Sequence, residues 1–260
     1  MKSPRNILLF FIGITFLFTF CRSEAALFTD DTSTTDKGHF DLEYCFDYYH
    51  DAEKEYNPET EDYSLNVSKE TDLTLDLTVG LLKNSDFAVT VPYAFIDTTS
   101  LGKANGFWDI STCLKYRFFE EKGPFPSFAL TFDFKSDSGD DDKALGTGKK
   151  DYALNSIFTK NVGDNAFDLN LGYVFVGGKA ADVFFYSTDW SRELFDGLVF
   201  CLELYGENTF EGNSDLNVLS AAVSLDYQLT PMISIESGFA AGITKASPDC
   251  QFSGSVTLSF

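Results

Sequence analysis

The last nine residues, Phe252-Ser253-Gly254-Ser255-Val256-Thr257-Leu258-Ser259-Phe260, put the large apolar side chains on even positions and small polar ones on odd positions. A period of two belongs to a strand with one apolar face and one wet face. The pattern recurs along almost the whole chain. The chain has 28 Phe and 12 Tyr, most of them in these apolar faces together with Leu, more than a small water-soluble sandwich would readily bury. Hydrocarbon is the other place to put them. Only helices and closed barrels satisfy their backbone groups in lipid, and no apolar stretch beyond the leader is long enough to span as a helix. The expectation is an all-β fold: a transmembrane antiparallel up-and-down β-barrel of about 12 strands, set in a bacterial outer membrane.

The first 25 residues read as a secretory signal peptide, leaving 26–260 as the barrel. Lys2 and Arg5 form a basic start, and Ile7 to Phe20 is apolar but shorter than the roughly 17–25 residues of a spanning helix. Ser23-Glu24-Ala25 supplies small residues for cleavage before Ala26. Cys21 offers a lipidation alternative, but it follows the bulky Phe20 where lipoprotein signals carry a small residue. Removing residues 1–25 deepens the formal charge from −21 to about −23. Such a surface repels nucleic acid and suits charges kept in loops and a water-filled lumen. Four cysteines remain, Cys45, Cys113, Cys201 and Cys250, with no C-x-x-C spacing, so no zinc site is expected. By phase the first three face inward, as small buried residues rather than disulfide partners.

Twelve strand-like segments follow, at about 38–49, 70–82, 86–97, 106–119, 126–137, 151–161, 165–178, 183–192, 196–206, 215–228, 231–243 and 250–260. Most have the length of a tilted membrane strand. Short links follow the even strands (83–85, 120–125, 162–164, 193–195, 229–230). Mostly longer, more polar ones follow the odd strands, led by 50–69 and 138–150. That asymmetry is typical of outer-membrane barrels, with short periplasmic turns and long external loops. A soluble sandwich also alternates, but its strands are shorter and its loops need not differ by side. Trp108, Tyr93 and Phe184 are expected in an outer aromatic girdle, and Tyr116, Trp190, Tyr227 and Phe260 in an inner one. The C-terminal strand ending in Phe260 is where the barrel-insertion machinery is expected to engage.

Three stretches carry a family resemblance. Gly106-Phe107-Trp108-Asp109-Ile110 with Leu114-Lys115-Tyr116-Arg117-Phe118 is one. Pro126 to Lys135 with Leu145-Gly146-Thr147-Gly148 and Asp151-Tyr152 is the second, and Asp168 to Tyr173 the third. The region from Asp86 to Tyr205 resembles the outer-membrane barrels of the MetA-pathway phenol-degradation family, whose members are described as transporters. The family often carries proline-threonine-glycine at the top of the fifth strand, where this chain has Lys135-Ser136-Asp137-Ser138-Gly139. The resemblance implies transport, without naming phenol as the solute.

Phase assigns Asp109, Asp133, Asp168, Glu203, Asp226 and Glu236 to the lumen, with further acids such as Asp76 and Asp189. Lys115, Arg117 and Lys135 form one inward basic strip. Two readings stand. One is a pore with separated charge that passes small solutes, weakly favouring cations. The other is a lattice of ion pairs plugging a narrow barrel, since twelve strands lie between the filled eight and the open sixteen. No catalytic residue, metal or cofactor is expected. The only histidines, His39 and His50, lie near opposite ends of the first strand, without the serine partner a barrel phospholipase needs. Asp137-Ser138-Gly139-Asp140-Asp141-Asp142 offers hard oxygen ligands but lacks EF-hand spacing. The expected partners are outer-membrane lipid, the insertion machinery and small solutes, with no nucleic acid. The function expected is passive passage of small solutes through an acidic lumen. A surface-interaction barrel with a blocked lumen is the rival, and a barrel enzyme acting on lipid or peptide a weaker one.

Overall fold

Alternation makes the wall. A computed structural model of the chain describes residues 26–57, 62–98, 102–178, 180–209 and 217–260. Its strands are β1 (Phe40–Asn57), β2 (Asp62–Leu82), β3 (Ser85–Thr98), β4 (Gly102–Phe107), β5 (Ser111–Phe119), β6 (Ser127–Lys135) and β7 (Asp151–Val162). They continue as β8 (Asn165–Phe175), β9 (Val183–Phe195), β10 (Leu198–Thr209), β11 (Val218–Thr230), β12 (Ile233–Gly242) and β13 (Cys250–Ser259). Every neighbouring pair is antiparallel, and β1 joins both β13 and β2, so the sheet closes on itself with no free edge around the circuit. β4 and β5 both pair with β3, along Tyr93–Thr98 and Ser85–Thr90 respectively. They are two halves of one interrupted stave, and the wall therefore has twelve staves.

The two faces differ as the period demands. On β6, Phe132 is 47% exposed while its neighbours Thr131 and Asp133 are at 1% and 2%. On β13, Phe252 is exposed between the buried Gln251 and Ser253. Aromatic contacts run along the outer face, among them Phe40 with Phe260 and Phe239 with Phe252. The buried polar side chains lie inside, the reverse of a soluble sandwich. Short turns gather at one end, at Lys83-Asn84, Gly163-Asp164, Asp196-Gly197 and Pro231-Met232.

Two expectations need correction. The 50–69 segment is not a plain loop: β1 and β2 stay paired up to Asn57 and Asp62, with register shifts between His50 and Lys54. Beyond the apolar band no lipid requires alternation, so the sequence there reads as polar loop. Trp108 is not in a girdle. Trp108-Asp109-Ile110 leaves the ladder between β4 and β5, and the indole turns inward against Ala94, Ile96, Ala144 and Leu145. None of the four cysteines of 26–260 is in a disulfide, and Cys45, Cys113 and Cys201 are buried as phase predicts.

Candidate functional site

The inward face defines a lumen, and two segments of the chain enter it. The first is a strap, residues 26–36, which precedes β1. At the turn end Thr35 N donates to Asp86 (3.1 Å), and its Oγ1 to Asp41 (2.8 Å). Gly80 is required here: a Cβ would sit 2.1 Å from the Asp36 carbonyl oxygen. Further in, Thr32 N donates to Thr159 (2.9 Å). Asp30 accepts from Lys115 Nζ (2.8 Å) and clasps Asn170, its N–H donating to Oδ1 (3.1 Å) and its carbonyl accepting from Nδ2 (2.7 Å). The strap then reaches β10. Leu27 N, Phe28 N and Thr29 Oγ1 all donate to the Glu203 carboxylate, at 3.1, 2.8 and 2.6 Å. Phe28 stacks on Tyr205 with ring centroids 3.8 Å apart. Thus the strap crosses from the β10–β12 wall to the β5–β8 wall and leaves beside β2 and β3.

The second is a cap, residues 136–150, which folds in from the loop end over the broken stave. Asp109, released from the ladder by the break, accepts from Gly139 N (2.8 Å), Thr147 N (3.0 Å) and Lys135 Nζ (2.8 Å). Lys135 also meets Asp151 (3.0 Å), Thr147 Oγ1 (2.6 Å) and the Lys149 carbonyl (3.1 Å). Gly146 has φ +104°, and a Cβ there would lie 2.7 Å from Asp109 Oδ1. The 137–142 stretch is drawn into this knot: Asp140 takes Lys143 as partner at 2.6 Å, and Asp141–Lys143 forms one 3-10 turn.

Of the residues that phase assigns to the lumen, Asp109, Lys115, Asp133, Lys135, Asp168, Glu203, Asp226 and Glu236 are buried and Arg117 is half-buried. Arg117 sits lowest, near the turn end, 3.5 Å from Glu120. Asp133 accepts from Thr131 at 2.7 Å. Asp168, Asp189 and Glu203 stand in register on β8, β9 and β10, and Asp226 faces Glu236 across β11 and β12. Asp168 accepts from Thr159, and its own N–H donates to Asp189 (3.0 Å). The basic strip is divided: Lys115 serves the strap and Lys135 the cap. Toward the loop end the wall carries apolar clusters, Ala153, Val174, Val183 and Phe185 in one and Tyr205, Ala222 and Ala240 in another, beside further polar groups such as Asp47 and Gln251, 3.1 Å apart. His39 is exposed at the turn end and His50 at the loop rim beside Asp51 (3.5 Å). Sequence reading missed Asp30, Asn155, Asn170 and Tyr205. The two asparagines carried the only available signal, polar residues in the inward phase of strands otherwise read correctly. Asn155 Nδ2 donates to Asn170 Oδ1 at 3.0 Å.

At the turn end Glu121 closes the β5–β6 connection onto β7. The Lys160 ammonium and the Asn161 N–H groups (3.0 and 2.9 Å) hold its carboxyl down at about 2.

The family model described as "Putative MetA-pathway of phenol degradation" matches residues 47–260. Among solved structures, an outer membrane channel from Pseudomonas putida F1 superposes with a TM-score of 0.71 at 14% identity, over 88% of this chain and 98% of that one. The NanC porin gives 0.55 at 10% identity, over 84% and 98%. The translocator domain of the autotransporter NalP from Neisseria meningitidis gives 0.51 at 13%, over 88% and 90%. No curated protein matches significantly. These likenesses establish the fold as that of outer-membrane barrels, and the chain as a protein of the bacterial outer membrane.

Proposed function

The chain belongs to the MetA-pathway phenol-degradation family, and from that membership we propose that it is an outer-membrane channel passing small solutes passively through an acidic lumen. The observation that carries this reading is the construction of the lumen. A closed wall surrounds a polar interior whose turn-side half holds Asp168, Asp189, Glu203, Asp226 and Glu236. What crosses that interior is a single extended strap held by hydrogen bonds. A packed core could not open; a strap can leave. A solute from outside meets the apolar and aromatic surfaces near Phe185 and Tyr205 together with carboxylates such as Asp47, and further carboxylates deeper in. That lining favours small neutral or cationic molecules with an apolar part, and disfavours anions.

Planar-bilayer recording tests the proposal, using the folded protein and a variant lacking residues 26–33. Cation-favouring conductance, larger in the shortened form, supports it. Silence from both, with the barrel shown folded by heat-modifiable gel migration, would sink it. That silence would favour the rival reading of a blocked barrel with a surface role, for which the caged cap speaks. We assign no catalytic role, since His39 and His50 are exposed and far apart along one stave.

A further inference from the structure

We propose that the wall around Glu203 and Asp189 is a binding site for an α-ammonium group, and that its occupant is the chain's own amino terminus at Ala26. Hydrolysis of the Ala25–Ala26 peptide bond adds water, leaving a carboxylate on Ala25 and a new amine on Ala26. An α-amine of ordinary pKa, about 7.7–8.0, is mostly protonated at neutral pH. Ala26 is fully buried against Cys201 and Val199 on β10. The Cys201 thiol lies 3.2 Å from the Asp189 carboxylate. The next three residues of the strap converge on Glu203. The new charge therefore arises beside two buried carboxylates, on strands whose inward faces carry further acids, Asp168, Asp226 and Glu236. Among the described residues no Lys or Arg on β8–β12 faces inward; Arg192 is exposed at the turn end. The inward cations Lys115 and Lys135 stand on β5 and β6 and already hold Asp30, Asp109 and Asp151. A terminal ammonium would place a positive charge beside Glu203 and Asp189. Leader removal thus does more than release the chain: it makes the group that seats the strap. The inference goes beyond the channel reading and stands whether or not the pore conducts.

The test uses exported, naturally processed protein in detergent micelles, its terminus identified by mass spectrometry. N-acetoxysuccinimide at pH 7 acylates accessible α-amines, with the exposed Lys37 as internal reference. The Ala26 amine is expected to react at least about tenfold more slowly in the folded barrel than in urea, a factor equivalent to about 1.4 kcal/mol. Glu203→Gln with Asp189→Asn is expected to abolish that protection while heat-modifiable migration persists. Because that variant could fail to fold, a second protein keeps Gly-Ser-Gly ahead of Ala26 and so moves the charge. A Thr29→Cys thiol in it is expected to label faster than the same thiol behind the authentic terminus. A terminus other than Ala26, an unprotected amine in the folded wild type, or equal Thr29→Cys labelling in both proteins would each overturn the proposal. Conductance is not part of this readout, so its outcome is separate from that of the channel.

Discussion

The strap and the cap both occupy the lumen, yet they are held in different ways. The cap comes from a loop between adjacent staves. Its partners Lys135, Asp109 and Asp151 form a buried knot in which one cation meets two anions. Glycines at 139 and 146 let its backbone press against Leu145 and Asp109 with no room for a side chain. The strap reaches partners far along the chain, 85 residues away at Lys115 and 174 at Glu203. Half of its bonds to the wall are backbone N–H groups given to side chains, groups that water could satisfy equally well, and one is the buried Lys115–Asp30 ion pair. A buried ion-pair knot is costly to break by halves; a row of solvent-exchangeable hydrogen bonds is not. On the channel reading proposed above, the cap is the fixed part of the wall and the strap the removable one.

The sharpest way to break this contrast is deletion. Removing residues 26–33 is expected to raise bilayer conductance severalfold while leaving gel migration folded; an unchanged current would place the barrier in the cap instead. Next comes Lys135→Met. Leaving Asp109 and Asp151 buried without their cation is expected to lower barrel stability by roughly 3–5 kcal/mol, read by urea unfolding. Lys115→Met removes an equally buried ammonium, but Asp30 can leave with the strap and rehydrate. Its cost is expected to stay under about 1 kcal/mol, the scale of ordinary net hydrogen bonds. Equal losses from the two lysine variants would erase the distinction between cap and strap. The smallest effect concerns pH. Glu121 is held at about 2 by Lys160, below its usual 4.5. Its contribution is therefore fully present above pH 4.5 and lost as pH falls through 2. Glu121→Gln should flatten that acid limb in a pH series of unfolding midpoints, lowering the midpoint slightly at pH 7 and leaving it unchanged below pH 2.

Much of this architecture was legible in the sequence because lipid enforces it. Hydrocarbon on one side and water on the other make parity a reliable guide, so the staves and the buried Cys45, Cys113 and Cys201 follow from counting. Parity fails where the lipid constraint stops. At Trp108–Ile110 three residues step out of the ladder, and a count carried across them puts the indole on the wrong face. Above the membrane the β1–β2 pair continues without an apolar face, so residues 50–69 read as loop. The strap left no trace. Thr29-Asp30-Asp31-Thr32-Ser33-Thr34-Thr35 has the composition of a solvated linker, and nothing local reveals that its partners lie on β3, β5, β7, β8 and β10.

The β1–β2 hairpin has a consequence outside the lumen. β2 has 21 residues, and at about 3.4 Å per residue and a tilt near 40° it rises on the order of 50 Å, about twice the roughly 25 Å apolar band. The excess stands off the cell like a mast. The far end of the pair is thereby set apart from the strap and the cap, so sequence change there is expected to leave the lumen contacts described above in place.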